Sequence, residues 1–123
     1  MKSRILVWNC QGAGHPKFHR FLKEYLRDFD PDIVILVETR VSGRKADCVV
    51  GKIGLPYSYR IEARGFAGGI WVMWQDSIYG SPQRMKRKEL WNGIGYLAQG
   101  VQSPWLIAGD FNAMLNNDEK KGG

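Results

Sequence analysis

Ile33-Val34-Ile35-Leu36-Val37-Glu38 is five aliphatic residues closed by one carboxylate. The run is too short for a helix and has no polar residue on alternate positions, so it reads as a strand buried on both faces. Asp30-Pro31 stands just upstream, where proline ends a helix. Before it, Phe18, Phe21, Leu22, Tyr25, Leu26 and Phe29 recur at helical spacing and predict an amphipathic helix over Lys17 to Phe29. Pro16 suits its first turn. Further upstream, Ile5-Leu6-Val7-Trp8 is a second fully apolar run, ending at Asn9, with Gln11-Gly12-Ala13-Gly14 as a loop. Two buried strands joined by one helix are the start of an α/β sheet.

Downstream of Glu38, Ser42 is placed to cap a second helix with Ala46, Val49, Val50 and Ile53 on one face and Gly54 as its stop. Tyr57, Tyr59 and Ile61 alternate with Ser58, Arg60 and Glu62, the pattern of a half-exposed strand. Residues 64–69 turn the chain, and Ile70-Trp71-Val72-Met73-Trp74 returns as an antiparallel hairpin partner. Ser81-Pro82 opens a third helix with Leu90, Trp91, Ile94, Leu97 and Ala98 on its apolar side, weakened by Gly93 and Gly95. The last strand lies in Pro104-Trp105-Leu106-Ile107-Ala108-Gly109-Asp110-Phe111-Asn112. The order predicts an α/β fold with a mixed sheet, since a hairpin interrupts the parallel pattern.

Composition narrows the setting. A chain of 123 residues is one domain, and 44% hydrophobic residues is ordinary for a packed core. The net charge of +6 suits a polyanionic partner such as nucleic acid. Cys10 and Cys48 form no CxxC and no zinc spacing, which favours free thiols over a disulfide. No apolar run is long enough to span a bilayer or to serve as a signal peptide, so a nuclear or cytoplasmic setting is expected and no membrane partner.

The chemistry gathers at strand ends. Three apolar strands are followed by oxygen-bearing side chains: Asn9, Glu38, and Asp110 with Asn112. In an extended chain Asp110 and Asn112 point the same way, with Phe111 turned inward. By itself that stretch reads at least as well as a strand followed by an Asx turn. The recurrence favours a site, because ligands of α/β sheets collect beyond the carboxyl ends of strands. Carboxylate and amide oxygens are what Mg2+ takes.

His15 and His19 stand four apart but have no carboxylate or cysteine nearby to complete a metal site, and read as surface histidines. Gly12-Ala13-Gly14 lacks the P-loop lysine and reads as a tight loop. Arg84, Lys86, Arg87 and Lys88 form a basic run that can follow a phosphate backbone or simply face solvent. The five tryptophans lie in apolar runs and read as core.

With these residues in place, the chain resembles the endonuclease/exonuclease/phosphatase family, and within it the endonuclease domain of plant LINE-type (non-LTR) retrotransposons. The likeness is carried by Trp8-Asn9-Cys10-Gln11-Gly12, residues 31–39 and Gly68-Gly69-Ile70-Trp71-Val72. Tyr79-Gly80-Ser81-Pro82 with the basic helix to Trp91, Pro104 to Asn112, and Glu119-Lys120-Lys121-Gly122-Gly123 complete it. Gly109-Asp110-Phe111-Asn112 is the most specific piece. The resemblance implies a two-sheet, four-layer α/β sandwich and Mg2+- or Mn2+-assisted hydrolysis of a phosphodiester in DNA, with no obligate protein partner. It implies Glu38 as metal ligand, Asn9 as support of the metal and phosphate site, and Tyr79 as a hydrogen-bond donor to the scissile phosphate. Asp110 would orient or deprotonate the attacking water, with Asn112 as its partner.

The departures from the family pattern are also in the sequence. The family carries a later Asp and a Ser-Asp-His motif, which have no counterpart before Gly123. Relatives also place further strands where only Gln75-Asp76-Ser77-Ile78 precede Tyr79. Residues 1–123 therefore read as a single partial domain, lacking a middle segment near 75–79 and the C-terminal half, and inactive as a nuclease. Two other readings stand beside this one. One is a non-catalytic remnant that binds nucleic acid weakly. The other is a phosphoesterase of the same family with a different substrate. Some tryptophans are expected to be exposed where covering strands are missing.

Overall fold

The computed structural model describes residues 3–62, 68–76, 88–98, 100–101 and 103–109. Its centre is β2 (Ile33–Val37), every residue of which is buried. β1 (Ser3–Asn9) lies parallel to it, with Ile5 opposite Ile33 and Asn9 opposite Val37. The crossover between them is α1 (Phe18–Phe29). Asp30 ends that helix in a left-handed conformation (φ 45°), and its N–H bonds the Leu26 carbonyl. Pro31 follows at once, as expected.

Beyond β2 come α2 (Gly43–Ile53), β3 (Tyr57–Ile61), β4 (Ile70–Trp74), α3 (Lys88–Ala98) and β5 (Trp105–Gly109). Ser42 holds the N-cap position of α2 with extended backbone, but its side chain makes no capping hydrogen bond. Gly54 stops α2 at φ 83°, a conformation that costs glycine little. The strands form one mixed five-stranded sheet in the order β3-β4-β2-β1-β5. β4 runs antiparallel to both β2 and β3, which confirms the hairpin. The α/β fold with a mixed sheet is as expected.

Both faces of the sheet are covered, so its central strands are apolar throughout rather than alternating. Ile5, Val7, Ile33, Ile35, Val37, Val72 and Trp74 pack on one face with Trp91 and Ala98 of α3. Leu6, Trp8, Val34, Leu36, Trp71 and Met73 pack on the other with Phe18 and Leu22 of α1 and Ala46 and Val49 of α2. Trp8 stacks on Phe18 at 5.6 Å and meets Tyr25 edge-on at 5.1 Å.

Two expectations need correction. Leu97 is not on the packed side of α3; it is 66% exposed. Trp91, Ile94 and Ala98 share one face at i, i+3 and i+7, and at about 100° per residue Leu97 is turned some 120° from Trp91. The tryptophans are not uncovered either. Trp8, Trp71, Trp74 and Trp91 are buried and Trp105 is half-buried. Among the described residues the exposed large apolar side chains include Leu106 and Ile107 of β5, an edge strand, beside Phe21, Tyr96 and Leu97. Gly95, expected only to weaken α3, allows it to approach β4, since a Cβ there would lie 3.1 Å from Ile70 Cδ1. The expected Ser81-Pro82 cap lies outside the described residues.

Candidate functional site

β1 and β2 are parallel, so their carboxyl ends share one edge of the sheet, and this edge carries Asn9 and Glu38. The parallel pairing continues past the strands. Cys10 N–H bonds the Val37 carbonyl (3.1 Å), Gly12 N–H the Glu38 carbonyl (2.8 Å) and Ala13 N–H the Thr39 carbonyl (2.8 Å). From the other side Gly68 and Gly69 close in. Arg40 N–H bonds the Gly68 carbonyl (2.6 Å), Thr39 N–H the Gly69 carbonyl (3.4 Å), and Thr39 Oγ1 donates to the Gly68 carbonyl (3.4 Å).

Held between these flanks, Glu38 and Arg40 both have φ of 56°, left-handed for residues with side chains. That conformation costs about 1–2 kcal/mol per residue, and the hydrogen bonds on either side offset it. Thr39 between them is fully buried. The Glu38 side chain remains 20% exposed and lines a cavity of about 180 Å³ with Gly68, Ile70, Asn92 and Tyr96. Arg40 Nε lies 3.5 Å from Glu38 Oε2. A Cβ on Gly68 would collide with the Glu38 carboxylate and stand 2.9 Å from its Cα. Sequence reasoning marked Gly68-Gly69 as a turn and missed this role. The available signal was two adjacent glycines directly before an apolar strand.

Asn9 is 6% exposed. Its Nδ2 donates to the Ala98 carbonyl (3.1 Å), tying the last turn of α3 to the sheet edge. Its Oδ1 is buried with no hydrogen-bond partner. A buried orphan acceptor and a fixed carboxylate at one sheet edge fit a hard divalent cation by donor chemistry. Among the described residues no three His, Cys, Asp or Glu side chains cluster as a metal site. Asn9 and Glu38 line different cavities, Asn9 lying in a cleft with Trp8, Gln11 and Tyr25.

The third strand end does not join them. β5 is antiparallel to β1, with Gly109 opposite Ser3 and Trp105 opposite Val7. Its carboxyl end therefore lies at the far edge from Asn9, because antiparallel pairing reverses strand direction. Tyr79, Arg84, Lys86, Arg87, Asp110 and Asn112 lie outside the described residues, and Lys88 is described only as the opening residue of α3.

Cys10 and Cys48 are free thiols. Cys10 Sγ donates to the Val37 carbonyl at 3.4 Å, and burial pushes its pKa up to about 11. It is thus a neutral thiol at physiological pH, not a nucleophile or a thiolate ligand. His15 is exposed and its Nδ1 accepts from Lys17 N–H (3.1 Å). His19 is half-buried, with its pKa lowered by desolvation and by the nearby Lys52 and Lys23. No helix among the described residues is long and apolar enough to cross a membrane.

The family model described as Endonuclease/Exonuclease/phosphatase family matches residues 6–122. No curated protein matches the chain.

Proposed function

Since the chain belongs to the endonuclease/exonuclease/phosphatase family, we propose that it carries the metal-binding part of a phosphodiester hydrolase site for DNA. Members of this family are generally metal-dependent phosphodiester hydrolases that commonly use divalent ions and act on nucleic acids or other substrates. The observation that carries the reading is Glu38, a carboxylate set in a left-handed turn at the carboxyl end of β2 and flanked on both sides by backbone hydrogen bonds. Strained backbone of this kind gathers at functional sites.

In this reading Glu38 takes Mg2+ or Mn2+, and Asn9 supports the site from the neighbouring strand end. When bound, the cation polarises a phosphoryl oxygen and steadies the leaving oxyanion. Tyr79 donates a hydrogen bond to the scissile phosphate. The family roles of Asp110 and Asn112 at the attacking water are not carried over to this site, because β5 ends with Gly109 opposite Ser3, at the edge away from Asn9 and Glu38. Arg84, Lys86, Arg87 and Lys88 follow the phosphate backbone. The order of motifs supports the finer assignment to LINE-type retrotransposon endonucleases. His15 and His19 are the only histidines and neither falls at the family's phosphate-contacting position, so residues 1–123 by themselves bind the cation without robust cleavage.

A Mg2+ or Mn2+ titration followed by tryptophan fluorescence tests this, with Glu38→Gln and Asp110→Ala beside the unaltered chain. Saturable binding that Glu38→Gln abolishes is expected, with no nicking of supercoiled plasmid. Absence of saturable binding overturns the metal reading. Robust metal-dependent nicking overturns the inactivity of these residues alone.

The second reading is a non-catalytic nucleic-acid binder. It is favoured by the +6 net charge and by the lysines of α2 described next, which have no acidic partner among the described residues. Salt-dependent DNA binding without metal binding is its expected signature.

A further inference from the structure

A second cavity, of about 320 Å³, opens between the loop that precedes α1 and the outer side of α2. Its charged and polar lining is His15, His19, Lys45, Lys52 and the Cys48 thiol, with no acidic side chain. The four ion pairs among the described residues all engage arginines: Arg20 with Glu24, Arg27 with Asp28, Arg40 with Glu38 and Arg60 with Asp47. Asp47, the one acid on α2, is therefore taken by Arg60, and Lys45 and Lys52 have no acidic partner there. Lys45 reaches across to the loop, its Nζ 3.5 Å from where a Cβ on Gly14 would stand. α1 starts beside this cavity with no acid in its first turn and no side-chain cap, so its positive end adds to the lysines. Desolvation lowers the His19 pKa, and Lys52 and Lys23 lower it further, in keeping with the positive lining.

Next to it lies a cleft of another kind, of about 380 Å³, which shares His15. Trp8, Phe21 and Tyr25 supply its aromatic walls, and Gln11 supplies an amide. Phe21 is 39% exposed, while Trp8 is held rigid against Phe18 and Tyr25. Cations beside an open aromatic face with an exposed amide match a nucleotide: phosphate on the cations, base on the ring, base edge on the Gln11 amide. Bases in a duplex are stacked and paired, and their faces are not available to Phe21.

We propose that these adjoining clefts bind single-stranded nucleic acid, the α2 lysines and histidines taking a phosphate and the Phe21 cleft taking a neighbouring unpaired base. The inference rests on the nucleic-acid part of the proposed function and not on its metal part. It places the contact on the α1–α2 side of the sheet, opposite the α3 side where the Glu38 cavity lies.

The test is fluorescence anisotropy in EDTA with three labelled probes: a single-stranded oligonucleotide, the same strand with abasic sites, and its blunt duplex. Working in EDTA separates the result from any failure of metal binding at Glu38. The single strand is expected to bind at least about tenfold tighter than the duplex. Phe21→Ala should weaken the base-bearing strand about tenfold and leave the abasic strand unchanged. The double variant Lys45→Ala/Lys52→Ala should flatten the log–log salt dependence by about 1.4, whereas Arg27→Ala, at the far end of α1, should have a smaller effect. Equal binding of duplex and single strand, or an equal effect of Phe21→Ala on both strands, overturns the base cleft. A lysine double variant no weaker than Arg27→Ala, or no binding by any probe, overturns the phosphate cleft. All four positions are at the surface, and circular dichroism checks that each variant folds.

Discussion

Gly68 lies against Glu38 with no space between them for a side chain. A Cβ at position 68 would run into the Glu38 carboxylate and come within 2.9 Å of its Cα. The Gly68 carbonyl meanwhile receives Arg40 N–H at 2.6 Å, so the two segments cannot separate without losing a backbone hydrogen bond. The candidate metal ligand is thus positioned by a residue thirty places away in the chain.

Gly68→Ala should therefore act twice. The clash with a backbone atom cannot be relieved by a rotamer change, and overpacking of this kind costs about 1–3 kcal/mol. The unfolding free energy from urea denaturation should fall by that amount, and divalent-ion affinity should fall with it as Glu38 is displaced.

Glu38→Gln should separate the site from the fold. The carboxylate is partly exposed and its ion pair with Arg40 is open to solvent at the arginine end, so stability should change by less than about 1 kcal/mol. Metal binding, followed by fluorescence or calorimetry, should be lost.

At the neighbouring strand end, Asn9→Ala removes the hydrogen bond to the Ala98 carbonyl and should cost about 1 kcal/mol. Asn9→Asp should cost more at neutral pH, because it buries a carboxylate against that carbonyl. Burial raises the pKa of such a carboxyl in the folded state, so its stability should recover as the pH is lowered. Equilibrium unfolding at two pH values distinguishes the two variants.

The contrast between Trp91 and Leu97 tests how α3 sits. Trp91 is fully buried and Leu97 is 66% exposed. Trp91→Ala should lose about 3–5 kcal/mol or fail to fold, whereas Leu97→Ala should change the unfolding free energy by less than about 0.5 kcal/mol in urea denaturation.

The two thiols should react differently. Iodoacetamide should modify exposed Cys48 readily and Cys10 slowly in the native chain, since burial pushes the Cys10 pKa from 9.0 up to about 11. The same shift is linked to stability. The unfolded thiol ionises first, so the stabilisation is fully present below pH 9 and is lost as the pH rises through about 11. Unfolding at pH 8 and pH 10.5 should show this slope, and Cys10→Ala should remove it.

Much of the fold was legible along the chain. Phe18, Leu22 and their neighbours at helical spacing marked α1 to within one residue, and the aliphatic run Ile33–Val37 matched β2 at both ends. Asn9 and Glu38 were legible because each follows an apolar run whose end it marks. Gly68 was not, since its importance lies in its closeness to a backbone distant in sequence. The cationic cleft was hidden for the same reason: His15 and His19 belong to one segment and Lys45 and Lys52 to another.

Hydropathy by itself determined the elements of this protein, because the periods of helix and strand are written into local order. It also determined that carboxylate and amide oxygens follow the apolar strands. Only the tertiary structure decided which of those strand ends meet. A strand reads the same apolar pattern whether it runs parallel or antiparallel to its neighbour, so nothing in Trp105–Gly109 specified that Gly109 would pair with Ser3 and carry its end away from Asn9. Pairing direction follows from long-range packing and chain connection, and that is what placed Asn9 and Glu38 together at one edge of the sheet.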